Sequence, residues 1–118
     1  MNVGLTTMAL LALRAKVTIG GALLVAGFAE QLSHAEFDSY NSTFLKGPYH
    51  WDHIQTKANV IKIYNSDNDP YVPLQLGKNL AHNLGVEVTV INGGGHLNAT
   101  SGFLKFEQLL SDLKEILA

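Results

Sequence analysis

Strand-forming segments alternate with helical patterns along this chain, and this alternation restricts its possible folds more than any other feature. Strands are predicted at residues 19–29, 59–66 and 86–93, and helices at 3–16, 73–85 and 102–118. Strands that alternate with helices pair in parallel through right-handed crossovers. We therefore expect an α/β fold, a three-layer parallel sheet of about three strands flanked by helices, in a single domain spanning residues 1–118.

Composition narrows the class of protein. The 118 residues are 47% hydrophobic and 15% charged, with a net charge of −2, which suits one modest globular domain. Eight basic residues against ten acidic ones offer no phosphate-binding surface, so nucleic acid is not expected as a partner. The absence of cysteine excludes disulfides and a cysteine nucleophile, and it is consistent with a cytoplasmic protein. The apolar run at 17–29 is shorter than the roughly 20 residues a membrane span needs, so no membrane partner is expected.

Two polar loops follow the second and third predicted strands, at the edge of a parallel sheet where ligands and catalytic groups collect. The first is NSDNDPYVP at 65–73, and the second is NGGGHLNATSGF at 92–103. A carboxylate held against the Nδ1–H of His96 would fix its tautomer and let Nε2 act as a general base. Asp69 and Asp67 are both candidates for that carboxylate. The three glycines before His96 allow the sharp turn that such an imidazole needs.

Other interpretations of the polar motifs are weaker. An Asp-Asn-Asp-Pro loop is often only a turn, and it lacks the glycine and distal glutamate of a calcium loop. The segment HWDH at 50–53 offers two imidazoles and one carboxylate, too few ligands for a metal site without further help. We expect no metal and no cofactor.

Residues 60–103 resemble the C-terminal half of the small α/β-hydrolases of the retinoblastoma-binding protein nine type. The segments GALLVAGFAE at 21–30 and WDHI at 51–54 are similar to that family as well. The resemblance implies a truncated α/β-hydrolase fold and a carboxylic-ester hydrolase with a Ser-His-Asp triad. In that family the aspartate directly before proline and the histidine after the glycines are the acid and the base. Here they are Asp69 and His96, which favours Asp69 over Asp67.

The nucleophile is the missing member of this triad. The family carries it in a G-x-S-x-G elbow. If Gly4 matches the last glycine of that motif, Asn2 occupies the serine position, and the first glycine and the strand before it are absent. An asparagine amide is not nucleophilic and cannot form an acyl-enzyme. Other hydroxyl side chains are therefore candidates for the nucleophile: Thr6, Thr7, Ser33, Ser39, Ser42, Ser66 and Ser101.

Two further expectations concern binding. Phe28 and Tyr71, with Trp51 and Phe103, are candidates to line an apolar pocket for a small ester above His96. Without a preceding strand, segment 19–29 becomes an apolar sheet edge, which predicts a homodimer with a continuous six-stranded sheet. The sequence therefore leaves two functions open: an ester hydrolase with a missing or noncanonical nucleophile, and a catalytically inactive binding or dimerisation module.

Overall fold

A parallel three-stranded sheet forms the centre of the protein. The computed structural model describes residues 18–42, 45 and 49–118. The strands are β1 (Ile19–Val25), β2 (Ala58–Ser66) and β3 (Val88–Ile91), in the order β1-β2-β3. The helices are α1 (Ala35–Tyr40), α2 (Trp51–Gln55), α3 (Leu74–Leu84) and α4 (Glu107–Leu117), with a 3-10 turn at Ala99–Ser101. The predicted α/β fold with parallel strands is confirmed.

Some expectations fall outside the part of the chain that the structure describes. The predicted helix at 3–16 is one of them, together with Asn2, Thr6 and Thr7. Within residues 18–42, 45 and 49–118, no helix combines the length and apolar character that crossing a bilayer requires.

The central strand β2 is buried and sets the position of both neighbours. Its register pairs Val25 of β1 with Tyr64, and Ile91 of β3 with Ser66. On one face, the sheet packs against α2 and α3 through a core made of Ala22, Leu24, Ile54, Ile63, Leu80, Ala81 and Leu84. Because parallel strands in this register finish together, the carboxyl ends of β2 and β3 lie side by side.

Helix α4 covers the opposite face of the sheet. A β-carbon at Gly21 would lie 3.2 Å from the Ile116 side chain, so the helix approaches β1 closely. The Tyr64 hydroxyl donates a 2.5 Å hydrogen bond to the carboxylate of Asp112, which ties α4 to the central strand. Burial, and then this contact with Asp112, raise the pKa of Tyr64 above its ordinary value.

The first and third strands are shorter than predicted. β1 ends at Val25 rather than at residue 29, because Ala26 has a left-handed backbone (φ 52°) that turns the chain out of the sheet. Phe28 then enters a second small core with Leu32 and Val72. β3 covers only Val88–Ile91, since Gly93 adopts a positive φ of 67° directly after it.

The C-terminal helix begins five residues later than predicted. Gly102 closes the 3-10 turn with a φ of 95°, and α4 starts only at Glu107. Phe103 and Phe106 therefore precede the helix and pack edge to face on each other, with 5.0 Å between ring centroids. Within α4, Leu109, Leu113 and Ile116 are half-buried, whereas Leu110 and Leu117 are exposed.

Candidate active site

Two loops at the carboxyl ends of β2 and β3 bring an aspartate and a histidine into contact. We call residues 67–73 the Asp69 loop and residues 92–98 the His96 loop. Nδ1 of His96 lies 2.9 Å from Oδ2 of Asp69, although the residues are 27 positions apart. The Asp69 side chain is 1% exposed and that of His96 is 19% exposed. The carboxylate is therefore inside the protein, while the imidazole reaches the surface of the site.

The Asp69 loop fixes its own carboxylate. Oδ1 of Asp69 accepts hydrogen bonds from the backbone N–H of Tyr71 at 2.8 Å and of Val72 at 3.0 Å. An aspartate before a proline commonly closes a turn in this way. With Oδ1 occupied by the backbone, Oδ2 is the oxygen that meets the imidazole.

Asp67, the alternative acid from the sequence, does not contact the imidazole. Its Oδ1 accepts the backbone N–H of Gly93 at 2.7 Å. The neighbouring Asn68 accepts the backbone N–H of Gly95 through its Oδ1 at 2.8 Å. Three consecutive residues of one loop thus bind the other loop, and only the third of them reaches His96.

The His96 loop turns too sharply for ordinary residues at two of its glycines. A β-carbon at Gly94 would lie 2.6 Å from the side chain of Leu97. At Gly95 (φ 58°) it would lie 2.7 Å from the β-carbon of Ser101. Leu97 itself is buried with a φ of 55°, an uncommon conformation for a bulky residue. The loop is held in one shape by its surroundings.

This geometry leaves one imidazole nitrogen available for chemistry. A carboxylate at Nδ1 favours the tautomer that carries its proton there, because Nδ1–H then donates to Asp69. Nε2 of His96 has no hydrogen-bond partner among the residues that the structure describes. Its lone pair can accept a proton from a hydroxyl or a water, and the buried carboxylate then stabilises the imidazolium.

An apolar cavity of about 270 Å³ opens beside His96. Its lining consists of Phe28, Leu32, Phe37, Tyr71, Val72, His96 and Asn98. Phe28 and Tyr71 are the two residues that the sequence proposed for substrate contact, whereas Trp51 and Phe103 lie elsewhere. The Tyr71 ring meets His96 edge to face at 5.1 Å. Sequence reasoning missed Leu32 and Phe37, which lie in the connector, and Val72, whose place beside Asp69 was the available signal.

The candidate nucleophiles that can be located do not approach Nε2 of His96. The Ser66 hydroxyl is on a fully buried residue and donates to Asn68 Oδ1 at 2.7 Å. The Ser101 hydroxyl donates to the carbonyl and the side chain of Asn98 within one turn. Ser33, Ser39 and Ser42 are exposed in the connector. In the described part of the chain, then, no hydroxyl contacts this nitrogen.

Metal ligands are sparse in the same part of the chain. Residues 18–42, 45 and 49–118 contain no group of three or more His, Cys, Asp or Glu residues that could hold a metal ion. His50, Asp52 and His53 are exposed around α2. The expectation that the protein works without a metal or cofactor stays a prediction.

Comparison with known proteins gives a family match and a structural match for this chain. The model of the serine hydrolase family matches residues 2–115. The crystal structure of the ydeN gene product from B. subtilis superposes with a TM-score of 0.87 at 22% sequence identity, over 97% of this chain and 61% of that chain. This chain therefore spans about three fifths of the ydeN product, with which it shares its fold. The search of curated proteins found no significant match.

Proposed function

The chain belongs to the serine hydrolase family, and on that basis we propose that it contributes the acid and the base of a carboxylic-ester hydrolase. The observation that carries this proposal is the Asp69–His96 contact of 2.9 Å beside an apolar cavity. A buried carboxylate on Nδ1 and an unoccupied Nε2 are the arrangement that general-base catalysis of acyl transfer needs. The resemblance to enzymes of the retinoblastoma-binding protein nine type agrees with it.

In this proposal His96 moves the protons. A hydroxyl oxygen attacks the ester carbonyl carbon, and its proton passes to Nε2. The same proton then goes to the departing alkoxide, which leaves as the alcohol. Water attacks the acyl-enzyme in the second half by the same route, which restores the hydroxyl. Asp69 holds the tautomer and stabilises the imidazolium, a role worth up to about 10⁴-fold in kcat in related chemistry.

The cavity supplies the binding part of the proposal. Phe28 forms its inner wall, since it is almost completely buried, and Tyr71 forms the rim next to the imidazole. An apolar wall of this kind suits the acyl portion of a small ester. A cavity of about 150 Å³ is enough for benzene, so about 270 Å³ accepts a short acyl chain or a ring.

The nucleophile in this proposal is a hydroxyl in a noncanonical position or one supplied by assembly. If Gly4 matches the last glycine of the G-x-S-x-G elbow, Asn2 occupies the serine position, and its amide cannot form an acyl-enzyme. Ser66 and Ser101 have their oxygens engaged within loops. A second copy of the chain is one source of the missing group.

The first test is the intact mass of the protein after incubation with a fluorophosphonate probe that reacts with activated hydroxyls. We expect one stoichiometric adduct in the wild type and none in His96→Ala, and peptide mapping then names the hydroxyl. His82→Ala is the matched control, because His82 is an exposed histidine on α3 away from the site. A folded wild type that forms no adduct contradicts the proposal. Short p-nitrophenyl esters give the corresponding turnover measurement.

A binding or dimerisation module without catalysis is the second candidate. It is favoured by the engaged hydroxyls of Ser66 and Ser101, and by the position of β1 at the outer side of the described sheet. Two copies pairing antiparallel through β1 would form a continuous sheet about a two-fold axis. Sedimentation at low micromolar concentration tests this dimerisation, and a monomeric mass would contradict pairing through β1. The cytoplasmic location stays a prediction.

A further inference from the structure

Asn68 occupies the middle position among three contacts that join the two loops. Asp67 meets the backbone of Gly93 on one side, and Asp69 meets the imidazole of His96 on the other. Between them, Oδ1 of Asn68 accepts the backbone N–H of Gly95 at 2.8 Å. The contact therefore falls on the backbone N–H of the residue directly before the one that carries the imidazole.

The orientation of the Asn68 amide is set from the interior of the protein. The Ser66 hydroxyl donates to the same Oδ1 at 2.7 Å and accepts the backbone N–H of Asn68 at 3.2 Å. Ser66 is fully buried at the end of β2, so its hydroxyl has few alternative partners. The acceptor that faces Gly95 thus has one defined direction.

The His96 loop needs such an external contact because its own conformation is costly. Leu97, directly after His96, has a positive φ angle of 55°, whereas the φ of 58° at Gly95 is one that glycine adopts without strain. A left-handed conformation at a residue like leucine persists only when its surroundings impose it. Burial holds Leu97, and the hydrogen bond that the Gly95 N–H donates to Asn68 Oδ1 holds Gly95.

We propose that Asn68 is a positioning residue for His96, acting through the Gly95 backbone to keep Nδ1 in contact with Asp69. The contact exists whether or not the protein hydrolyses esters, but an effect on turnover rests on the function proposed above. The competing explanation is that Asn68 only closes the turn after β2 and stabilises the fold. The two differ in what happens to the imidazole when the Asn68 acceptor is removed.

Two variants distinguish a positioning role of Asn68 from a purely structural one. Asn68→Ala removes the hydrogen-bond acceptor, and Asn68→Asp keeps an oxygen at the same place. The Asn68 side-chain nitrogen has no hydrogen-bond partner within the described residues, so aspartate loses no contact. Asn59→Ala is the control, since Asn59 is an exposed asparagine on the same strand-loop unit, away from the site. Asn68 is itself exposed, which favours folding of all three variants.

The readout is the side-chain ¹H–¹⁵N spectrum of His96, recorded about two pH units above the usual histidine pKa of about 6.5. In the wild type we expect the proton on Nδ1. In Asn68→Ala we expect a mixture with the Nε2–H tautomer, and exchange of the Gly95 amide about two- to tenfold faster, the effect of losing one hydrogen bond. Asn68→Asp should restore both signals, and Asn59→Ala should leave them unchanged.

Unchanged His96 signals in folded Asn68→Ala would overturn the proposal, even if its melting temperature falls. Failure of Asn68→Asp to restore them would overturn it too. If Asn68→Ala does not fold, Ser66→Ala provides the same test, because it removes the donor that orients Asn68 and should shift the tautomer in the same direction. If the wild type hydrolyses no ester, the proposed function fails while these spectra still decide the role of Asn68. If it does, Asn68→Ala should lower kcat more than it raises KM.

Discussion

Replacing Gly77 with alanine should destabilise this protein, although the same change usually stabilises a helix. Gly77 lies in α3 where the helix crosses the end of β2. A β-carbon there would lie 2.3 Å from Cγ of Asn65 and within 2.6 Å of both terminal atoms of its amide. Asn65 is fully buried, and its Nδ2 donates to the carbonyl of Gly27 at 3.2 Å. The side chain has no open space to move into without losing that bond.

The expected magnitude follows from three contributions. Alanine gains about 1 kcal/mol over glycine within a helix. Overpacking a filled interior costs about 1 to 3 kcal/mol. Displacing the Asn65 amide from Gly27 leaves buried polar groups unpaired, at a further cost of about 1 to 3 kcal/mol. The net loss of unfolding free energy is therefore between about 1 and 5 kcal/mol, in spite of the better helix former.

Urea unfolding of a double-mutant cycle measures this. Gly77→Ala should lower the midpoint in the wild-type background. In an Asn65→Ala background, where the clashing atoms are gone, the same change should raise stability by up to about 1 kcal/mol. Gly20→Ala is a control for the loss of a glycine, because no atom lies within 4 Å of the added carbon. A Gly77→Ala protein more stable than wild type would refute the steric argument.

Three further changes have expected outcomes. Tyr64→Phe removes the 2.5 Å hydrogen bond to half-exposed Asp112 and should cost about 1 to 2 kcal/mol in urea unfolding at neutral pH. Burial raises the Tyr64 pKa in the folded protein, so the Tyr64 contribution to the free energy of unfolding should be fully present below the unfolded pKa of about 10 and should fall as the pH rises above it. Tyr64→Phe has no such hydroxyl, so its free energy of unfolding should fall less at high pH than that of the wild type. Gly95→Ala places a carbon 2.7 Å from Ser101 at a left-handed φ and should cost about 1 to 3 kcal/mol, while the imidazole loses its contact with the carboxylate in the NMR spectrum. Tyr71→Ala should change stability by less than about 1 kcal/mol, because the side chain is 48% exposed, but should raise KM for apolar esters.

Each of these three predictions has a control variant or a measurement that can contradict it. Tyr40→Phe breaks an exposed hydrogen bond to Glu36 and should cost less than about 0.5 kcal/mol, so an equal loss in both tyrosine variants would refute the burial argument. A Gly95→Ala protein with an unchanged His96 spectrum would show that the loop accommodates a side chain. Equal KM values for wild type and Tyr71→Ala would place the substrate elsewhere.

The sequence was sufficient for the sheet and for the position of the candidate site at its edge. Alternation of strand and helix patterns determines parallel pairing, and parallel pairing brings the residues after β2 and β3 together. The choice between Asp67 and Asp69 required more than the pattern. Both lie in the same polar loop, and only the turn closed by Asp69 Oδ1 directs the other oxygen to His96.

The helix within the connector and the first residue of the last helix were beyond sequence reasoning. Helix α1 has six residues and no buried side chain, so its pattern carries little periodic signal, yet it brings Phe37 to the cavity. Phe103 and Phe106 continue the apolar spacing of α4 backwards and made the helix look longer. The left-handed Gly102 ends that continuity, and a glycine in a helical pattern does not reveal its φ angle.

Insertions should affect this site very differently depending on where they fall. The Asp69 and His96 loops are aligned by the pairing of Ser66 with Ile91, not by the length of the crossover between them. An extra residue near Gly85, after α3, would lengthen an exposed connection and leave that pairing intact. An extra residue within β2 or β3 would turn every following side chain to the opposite face of the sheet. Length variation in the crossover between β2 and β3 should therefore leave the site intact. Length variation within β2 or β3 should disrupt it.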